Sequence, residues 1–374
     1  MYSLSLGASA DRRSETMAAL ILATLLSSSA VNASGAGSPI LCGVATNQFG
    51  SNRATLAAAV NTGKLSFWWN WGTAPKIDLA GIPTSVAAAT NKTFIPMLWG
   101  QAPPDDYSFL SSAEGHLMGY NEPDLYGPAC CNCDQKQSYF PATSSGWLPL
   151  FNPVSAAGFW QTTVNNATSG QHAGATIKRI VSPSMANGAK PAAGVDCTKD
   201  PSVPGNPIRC EGWMSMFKAA ALKLPCTRFD GTQTNCWDVI DAIQIHAYAK
   251  DASDVLAKLD GYHAEFADDF GGTSGRSKKE LWLTEVAAGS GDGGVIAPFA
   301  QKLMSAQGGL ADRAKYGFVS RVSWFSEWKF AAFEIKGSAP REFESWSSSL
   351  FDPFEGLSKV GDAFFANCAD VPAA

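Results

Sequence analysis

The feature that most constrains the fold is a regular alternation of short apolar segments with longer amphipathic ones. Eight short apolar runs, each bounded by Gly, Pro, Asn or Asp, predict strands at residues 40–46, 65–71, 93–99, 116–121, 179–183, 242–248, 280–285 and 319–325. Helical periods lie between several of these runs, and one helical face carries Val255, Leu259, Tyr262 and Phe266. Strands that alternate with helices form parallel sheets, so we predict an α/β fold, a single (β/α)₈ TIM barrel. An open doubly wound sheet is the alternative, although no glycine-rich phosphate turn follows the first predicted strand.

The N-terminus predicts a secretory signal peptide. Arg12 and Arg13 precede an apolar run at residues 17–26, and small residues at 31 and 33 form a cleavage pattern. We therefore expect residues 1–36 to be removed and residues 37–374 to form one domain. A buried N-terminal helix is the alternative, and Met17 is an alternative start. No later segment is long and apolar enough to cross a bilayer, so we expect a secreted, extracellular protein without a membrane span.

Nine cysteines fit a secreted protein that carries disulfides. Two pairings would close short excursions and one would tie the ends of the domain together: Cys197 with Cys210, Cys226 with Cys236, and Cys42 with Cys368. The cluster of Cys130, Cys131 and Cys133 favours disulfides over a metal site, since no second CxxC or nearby His supplies further ligands. Because nine is odd, at least one thiol stays free or pairs between molecules. Asn91 and Asn166 begin N-glycosylation sequons, which matter if the host is eukaryotic.

The charge and the motif content of the chain exclude several classes of partner. Its formal net charge is -5 and it has no run of Lys or Arg, so we expect no binding to nucleic acid or to anionic membranes. Its four histidines are not at metal-ligand spacing, and it has no nucleotide-binding fingerprint, so we expect no metal and no cofactor. The chain has 12 Trp, a side chain that can bind the flat apolar faces of sugars.

Two glutamates lie at the ends of the fourth and seventh predicted strands. Glu122 is part of the sequence GYNEPD at 119–124, and Glu285 is part of WLTEVA at 282–287. In a barrel the carboxyl ends of all strands meet at one rim, so these side chains should face each other across one cleft. Two facing carboxyl groups suit glycosidic-bond cleavage, in which one protonates the leaving oxygen and the other attacks the anomeric carbon or activates water. Salt bridges at the rim are the alternative, but the Asn-Glu-Pro sequence and the Trp-rich strand ends favour catalysis.

Six segments, taken in order, resemble a known family: residues 69–72 (WNWG), 96–100 (PMLWG), 119–124 (GYNEPD), 181–184 (VSPS), 245–248 (IHAY) and 282–287 (WLTEVA). The chain resembles glycoside hydrolase family 128, the alkali-sensitive-linkage-like glycosyl hydrolases, over nearly all of its mature length. This resemblance implies a clan A barrel that cleaves β-1,3-glucan with retention, with Glu122 as general acid/base and Glu285 as nucleophile. We therefore expect a monomeric endo-β-1,3-glucanase that acts on β-glucan polysaccharide or oligosaccharide by double displacement.

Further residues at strand ends are candidates for substrate binding: Asn70, Trp71, Trp99, Asn121, His246, Tyr248 and Trp324. The period of two along the sixth strand places Gln244, His246 and Tyr248 on one face, and Tyr248 is the expected hydrogen-bond donor to Glu285. The sequence leaves two roles open for His246, a buried core histidine and a substrate contact.

The binding roles of Asn121 and of the Trp residues at strand ends depend on where their side chains point. By resemblance to clan A barrels, Asn121 contacts the sugar hydroxyl next to the anomeric carbon. It reaches the cleft beside Glu122 only if the strand end is bulged or twisted. We expect one or two of the Trp residues at strand ends, which are Trp69, Trp71, Trp99 and Trp324, to stack on sugar rings, and the others to lie in the core.

Two rival functions stay open on the sequence alone. The first is a clan A glycanase for another β-linked polysaccharide, such as xylan, mannan or β-1,4-glucan. The second is a weakly catalytic or non-catalytic glucan-binding protein of the cell wall on the same barrel. Cleavage products separate the first rival from the main hypothesis, and carboxyl groups that are far apart or locked to Lys or Arg would favour the second.

Overall fold

The computed structural model describes residues 38–46, 57, 59–75, 77, 83–100, 107, 109, 115–125, 152–168, 179–186, 199, 205, 210–272, 278–289, 293–325, 350–352 and 356–371. These residues belong to one compact unit, Ser38–Ala374. The predicted signal peptide, residues 1–36, lies outside the described residues. Within the described part of the chain, no helix combines the length and the apolar composition needed to cross a membrane.

The strands form one large parallel sheet and two small hairpins. They are β1 Leu41–Ala45, β2 Phe67–Trp69, β3 His116–Met118, β4 Arg179–Met185, β5 Pro225–Thr227, β6 Gln233–Asn235, β7 Ala242–Ala249, β8 Glu280–Ala288, β9 Val319–Phe325, β10 Phe351–Asp352 and β11 Gly356–Leu357. Seven of them make a curled parallel sheet in the order β2-β1-β9-β8-β7-β4-β3. The strands β5 with β6, and β10 with β11, pair antiparallel outside this sheet.

Helices follow or precede the sheet strands, as the alternating pattern predicts. They are α1 Thr84–Thr93, α2 Pro153–Thr168, α3 Trp213–Ala221, α4 Ala252–Glu265, α5 Ala267–Gly271, α6 Gly293–Leu303, α7 Arg313–Tyr316 and α8 Lys359–Phe365. Helix α4 begins where the Asp251 side chain accepts a hydrogen bond from Ser253 N. It buries Val255, Leu259 and Tyr262, which confirms the predicted apolar face.

The third predicted strand, residues 93–99, is the one that does not form an extended ladder. It contributes two single parallel bridges, Phe94 to Trp68 on β2 and Met97 to Met118 on β3. Pro96 lies between the two bridging positions and has no N–H to donate, so a continuous ladder is interrupted there. The parallel α/β architecture is confirmed, and the sheet has seven strands where eight were expected.

The sheet separates two apolar clusters. The inner cluster contains side chains from the strands and from the bridging segment alone, among them Phe67, Met97, Met118 and Trp282. The larger outer cluster joins the other face of the sheet to the helices. Alternation along β7 follows the prediction, because Ile243, Ile245 and Ala247 belong to the outer cluster whereas Ala242 belongs to the inner one. The polar residues Gln244 and His246 therefore face the inside of the curled sheet.

Two of the three predicted disulfides are present among the described residues. Cys42 bonds to Cys368 and Cys226 bonds to Cys236. Cys210 is also disulfide-bonded, but its predicted partner, residue 197, lies outside the described residues, as does the cysteine cluster at 130–133. These bonds fit the predicted oxidising environment.

Candidate active site

The turn after β3 directs Glu122 into the curled sheet. Gly119 lets β4 approach closely before this turn, because a Cβ there would lie 2.6 Å from Pro183 N on that strand. Asn121 N then donates to Trp99 O at 2.8 Å, and Glu122 N donates to Ser184 O at 2.9 Å. Glu122 has a φ of 46°, in the left-handed region that glycine favours. The strand end is therefore twisted, which is the condition that the sequence set for Asn121 and Glu122 to reach one cleft.

A bulge in β8 places Glu285 opposite this turn. Ile245 on β7 pairs with Leu283, whereas the next residue, His246, pairs with Glu285, so Thr284 is an extra residue in the β8 strand. The bulge returns Glu285 to the same side of the sheet as His246. Without it, the period of two would place residue 284 beside His246 and direct residue 285 towards the helices.

The two glutamates and His246 form a buried trio. His246 Nδ1 lies 2.9 Å from Glu122 Oε1 and 3.3 Å from Glu285 Oε2. One oxygen of each glutamate and one nitrogen of the histidine all lie within 4.8 Å of one another. The exposed fraction is 7% for Glu122, 3% for Glu285 and 1% for His246. Two carboxyl groups that are this close and this deeply buried cannot both ionise freely, so the trio must share at least one proton near neutral pH.

The electrostatics of the trio follow from this burial. Loss of solvation raises the pKa of Glu285 to about 7, and the nearby Glu122 carboxylate acts in the same direction. His246 and the hydrogen bonds from Tyr248 and Trp71 oppose that rise. Burial alone would lower the pKa of His246, but the adjacent carboxylates outweigh it and the pKa is raised overall. The donors therefore favour the ionised form of Glu285, which burial disfavours.

Glu285 is held by a donor on each oxygen. Tyr248 OH donates to Oε2, as the sequence predicts. Trp71 Nε1 donates to Oε1 at 2.8 Å, a contact that the sequence does not predict, since Trp71 was considered only as a candidate for substrate binding. Phe325 lies edge-on to both donors, with ring centroids 5.6 Å from Trp71 and 5.5 Å from Tyr248. Alternation along β9 could have identified Phe325, because Val322 and Trp324 face the helices.

The remaining candidates for substrate binding differ in their surroundings. Asn121 and Trp99 are half-buried and are joined by the backbone bond from Asn121 N to Trp99 O. Among the described residues Asn121 Oδ1 has no hydrogen-bond partner. Asn70 instead donates from Nδ2 to Ala74 O at 3.0 Å and to Pro75 O at 2.8 Å, so its amide nitrogen shapes the loop after β2.

Trp324 does not fit the predicted sugar-stacking role. It is 1% exposed and packs edge-on against Phe299 of α6 and Phe364 of α8. The period of two along β9 turns its side chain to the helix face, away from the trio. Trp69 is likewise buried, and its Nε1 donates to Ser323 Oγ at 3.1 Å.

The trio has the ligand types and the spacing to hold a metal ion as well, with one atom from each residue. In the trio as it stands, His246 Nδ1 and Glu122 Oε1 share a hydrogen bond. The hydrogen-bonded arrangement has what glycosidic cleavage requires, a carboxyl group to donate a proton and a carboxylate to attack.

Several solved structures are similar to this chain over most of its length. A mutant family 128 (subgroup I) endo-β-1,3-glucanase from Amycolatopsis mediterranei in complex with laminaripentaose is 18% identical, with a TM-score of 0.47, over 87% of this chain and 98% of that chain. A family 128 (subgroup VI) exo-β-1,3-glucanase from Aureobasidium namibiae is 14% identical, with a TM-score of 0.48, over 91% and 99%. A family 128 (subgroup VII) oligosaccharide-binding protein from Trichoderma gamsii is 17% identical, with a TM-score of 0.45, over 89% and 95%.

No curated protein matches the chain. The profile of the glycosyl hydrolase catalytic core family matches residues 43–364, which is most of the chain. This match confirms the glycoside hydrolase identification made from the sequence motifs. The protein therefore belongs to the glycosyl hydrolase catalytic core family.

Proposed function

We propose that the protein is a secreted, retaining endo-β-1,3-glucanase of family 128. Glu285 attacks the anomeric carbon, and Glu122 protonates the leaving oxygen and then takes a proton from the water that hydrolyses the glycosyl-enzyme. The observation that carries this proposal is the separation of the two carboxyl groups. One oxygen of each lies within 4.8 Å of the other, close to the roughly 5–5.5 Å of retaining enzymes and well below the roughly 6.5–9.5 Å that inverting enzymes need for a water.

The protonation of the trio supports these roles. Double displacement begins with one protonated carboxyl group and one carboxylate, so a single shared proton is the required starting state. The donors Tyr248 and Trp71 contact Glu285 and favour its ionised form. The hydrogen bond between His246 Nδ1 and Glu122 Oε1, at 2.9 Å, offers a place for the shared proton away from Glu285. His246 thereby contacts both reacting carboxyl groups, rather than serving only as a core histidine.

The scaffold and substrate contacts are part of the same proposal. The bridges from Phe94 and Met97 link the two outermost strands, β2 and β3, and we take them as the closure of a (β/α)₈ barrel. Asn121, with its unpartnered Oδ1 among the described residues, is the proposed contact to the sugar hydroxyl next to the anomeric carbon. Trp99 is the proposed stacking platform.

The substrate and the location rest on the sequence. The choice of β-1,3-glucan rests on the six motifs that resemble family 128. Secretion rests on the N-terminal signal pattern, to which the disulfides of the folded unit add support. The catalytic domain extends over residues 37–374 and acts as a monomer.

The test is incubation of the purified mature protein with β-1,3-glucan oligosaccharides beside xylan, mannan and β-1,4-glucan oligosaccharides. We expect β-configured products from the β-1,3 series alone, with internal cleavage of the longer members. Cleavage of another series would establish a different linkage, and binding without cleavage would establish a glucan-binding protein. Glu285→Gln is the control: it should abolish hydrolysis and leave oligosaccharide binding largely intact, whereas near-normal turnover would refute the nucleophile assignment.

A further inference from the structure

Two residues near the trio have an unusual backbone conformation. Among the described residues, Trp71 and Glu122 are the non-glycine residues with positive φ, at 57° and 46°. A bulky side chain in the left-handed region is uncommon, and such positions concentrate at functional sites. Glu122 is already explained by its proposed role as the acid. Trp71 needs a separate explanation, because stacking on a sugar would not demand this backbone.

The loop after β2 is fixed at several points. Asn70 Nδ2 donates to the carbonyl oxygens of Ala74 and Pro75, and Met97 N donates to Gly72 O at 2.9 Å. These bonds fix the residues on both sides of Trp71. The loop therefore holds the indole ring in one place instead of leaving it free to meet a ligand.

The indole ring is held against the proposed nucleophile, Glu285. Trp71 Nε1 donates to Glu285 Oε1 at 2.8 Å, and among the described residues no other group donates to this oxygen. Glu285 Oε2 has two neighbours, the Tyr248 hydroxyl and His246 Nδ1 at 3.3 Å. Because Oε2 is more fully occupied, Oε1 is the oxygen with a lone pair left for the anomeric carbon.

We propose that Trp71 is a positioning residue for Glu285. Its indole N–H fixes the attacking oxygen, and the Phe325 ring holds the Trp71 and Tyr248 side chains where they can donate to Glu285. This inference rests on the proposed function, since it takes Glu285 as the nucleophile. In the first step a lone pair of Oε1 bonds to the anomeric carbon, while the glycosidic bond breaks and its electron pair takes the proton of Glu122. In the second step water attacks the anomeric carbon and gives a proton to Glu122, while the bond from that carbon to Oε1 breaks. The electron pair of this bond returns to Oε1 as negative charge, which accepts the hydrogen bond from the Trp71 N–H.

The experiment compares Trp71→Phe with Trp68→Phe. Trp71→Phe keeps an aromatic ring against Phe325 but removes the N–H. Trp68→Phe is the matched control on β2, since its Nε1 donates at the same 2.8 Å, but to Thr90 O on the helix side. We expect kcat of Trp71→Phe to fall about 10- to 100-fold, the loss typical of one hydrogen bond to a charged group, with KM unchanged or lower. The acid limb of its kcat/KM profile should move to higher pH, and Trp68→Phe should match the unaltered enzyme.

The outcomes separate this inference from the proposed function. If the unaltered protein hydrolyses no glucan, the proposed function fails and this inference fails with it. If the unaltered protein is active and Trp71→Phe has the same kcat and pH profile, only this inference fails. A raised KM with full kcat would also overturn it, because Trp71 would then be a sugar platform.

A second measurement keeps the inference testable if Trp71→Phe folds poorly. Phe325→Leu leaves the indole N–H in place but removes the ring that contacts both donors. We expect a smaller fall in kcat, about 3- to 10-fold, with the acid limb shifted in the same direction. An unchanged pH profile in a well-folded Phe325→Leu protein would contradict the role of Phe325.

Discussion

Replacing Glu285 by Gln should make the folded protein more stable at alkaline pH. Burial raises the pKa of Glu285 to about 7, above its usual value of 4.5. The folded state therefore binds this proton more tightly than the unfolded state does. The stability that this proton contributes is fully present below pH 4.5 and is lost as the pH rises through 7. Gln has the same shape and no charge, so this loss disappears in the variant.

The structure sets the size of the effect. A pKa raised from 4.5 to about 7 on a side chain that is 3% exposed corresponds to about 3 kcal/mol of stability lost between pH 5 and pH 8. For a folded unit of roughly 340 residues, that free energy corresponds to a difference of about 4 °C in melting temperature. His246 adds to the same trend, because its raised pKa also makes stability fall as the pH rises, and Glu285→Gln removes one of the charges responsible.

The assay is thermal unfolding of Glu285→Gln and of the unaltered protein at half-unit steps from pH 5 to pH 8.5. We expect the Glu285→Gln melting temperature to rise relative to that of the unaltered protein as the pH increases. Glu280→Gln, on the same strand, is the control with the opposite sign. Although burial opposes it, the Ser320 hydroxyl and the Arg179 guanidinium lower the pKa of Glu280, so its loss should destabilise the protein above pH 5. Parallel melting curves for Glu285→Gln and the unaltered protein would refute the view of Glu285 as a desolvated carboxylate.

Three further predictions follow from the site and the disulfides. Glu122→Ala should lose far less activity on substrates with an activated leaving group, which need no protonation, than on oligosaccharides; equal losses on both would count against the acid role. Dialysis against EDTA should leave hydrolysis unchanged, whereas a loss that added metal restores would indicate a metal-bound trio. Alanine at Cys42 and Cys368 should lower the melting temperature more than alanine at Cys226 and Cys236, because the first bond closes a far longer loop, with separations of 326 and 10; the reverse order would show that strain or residual structure dominates.

Much of the fold could be read from the sequence because it depends on local periodicity. Seven of the eight predicted strands occur in the parallel sheet, and the helical face around Val255 is buried as expected. The exception has a local cause in the sequence, since Pro96 lies in the middle of the third predicted strand and has no N–H to donate. Whether the sheet curls far enough to bring β2 near β3 is a property of the whole sheet, and no single segment encodes it.

The site divides in the same way. Glu122, His246, Tyr248 and Glu285 could be predicted because they are polar residues at the ends of apolar strands. Apart from the bond between Tyr248 and Glu285, the contacts that orient them could not be predicted, since the bulge at Thr284 depends on how two strands pair. The assignment of Trp324 to substrate binding failed because it weighed residue type above alternation. Trp324 was expected in the cleft because of its aromatic ring. Alternation along β9 instead turns Trp324 towards the helices and its neighbour Phe325 towards the trio.

The bond between Cys42 and Cys368 determines how the folded chain responds to limited proteolysis. It links the first strand to the segment after the last helix, and Ala369 N donates to Ile40 O at 2.9 Å beside it. A single cut at any peptide bond between the two cysteines therefore opens a closed loop of chain without releasing a fragment. Such a nicked enzyme would migrate as one species on a non-reducing gel and as two on a reducing gel. Its two pieces would stay at the high local concentration that favours correct re-association.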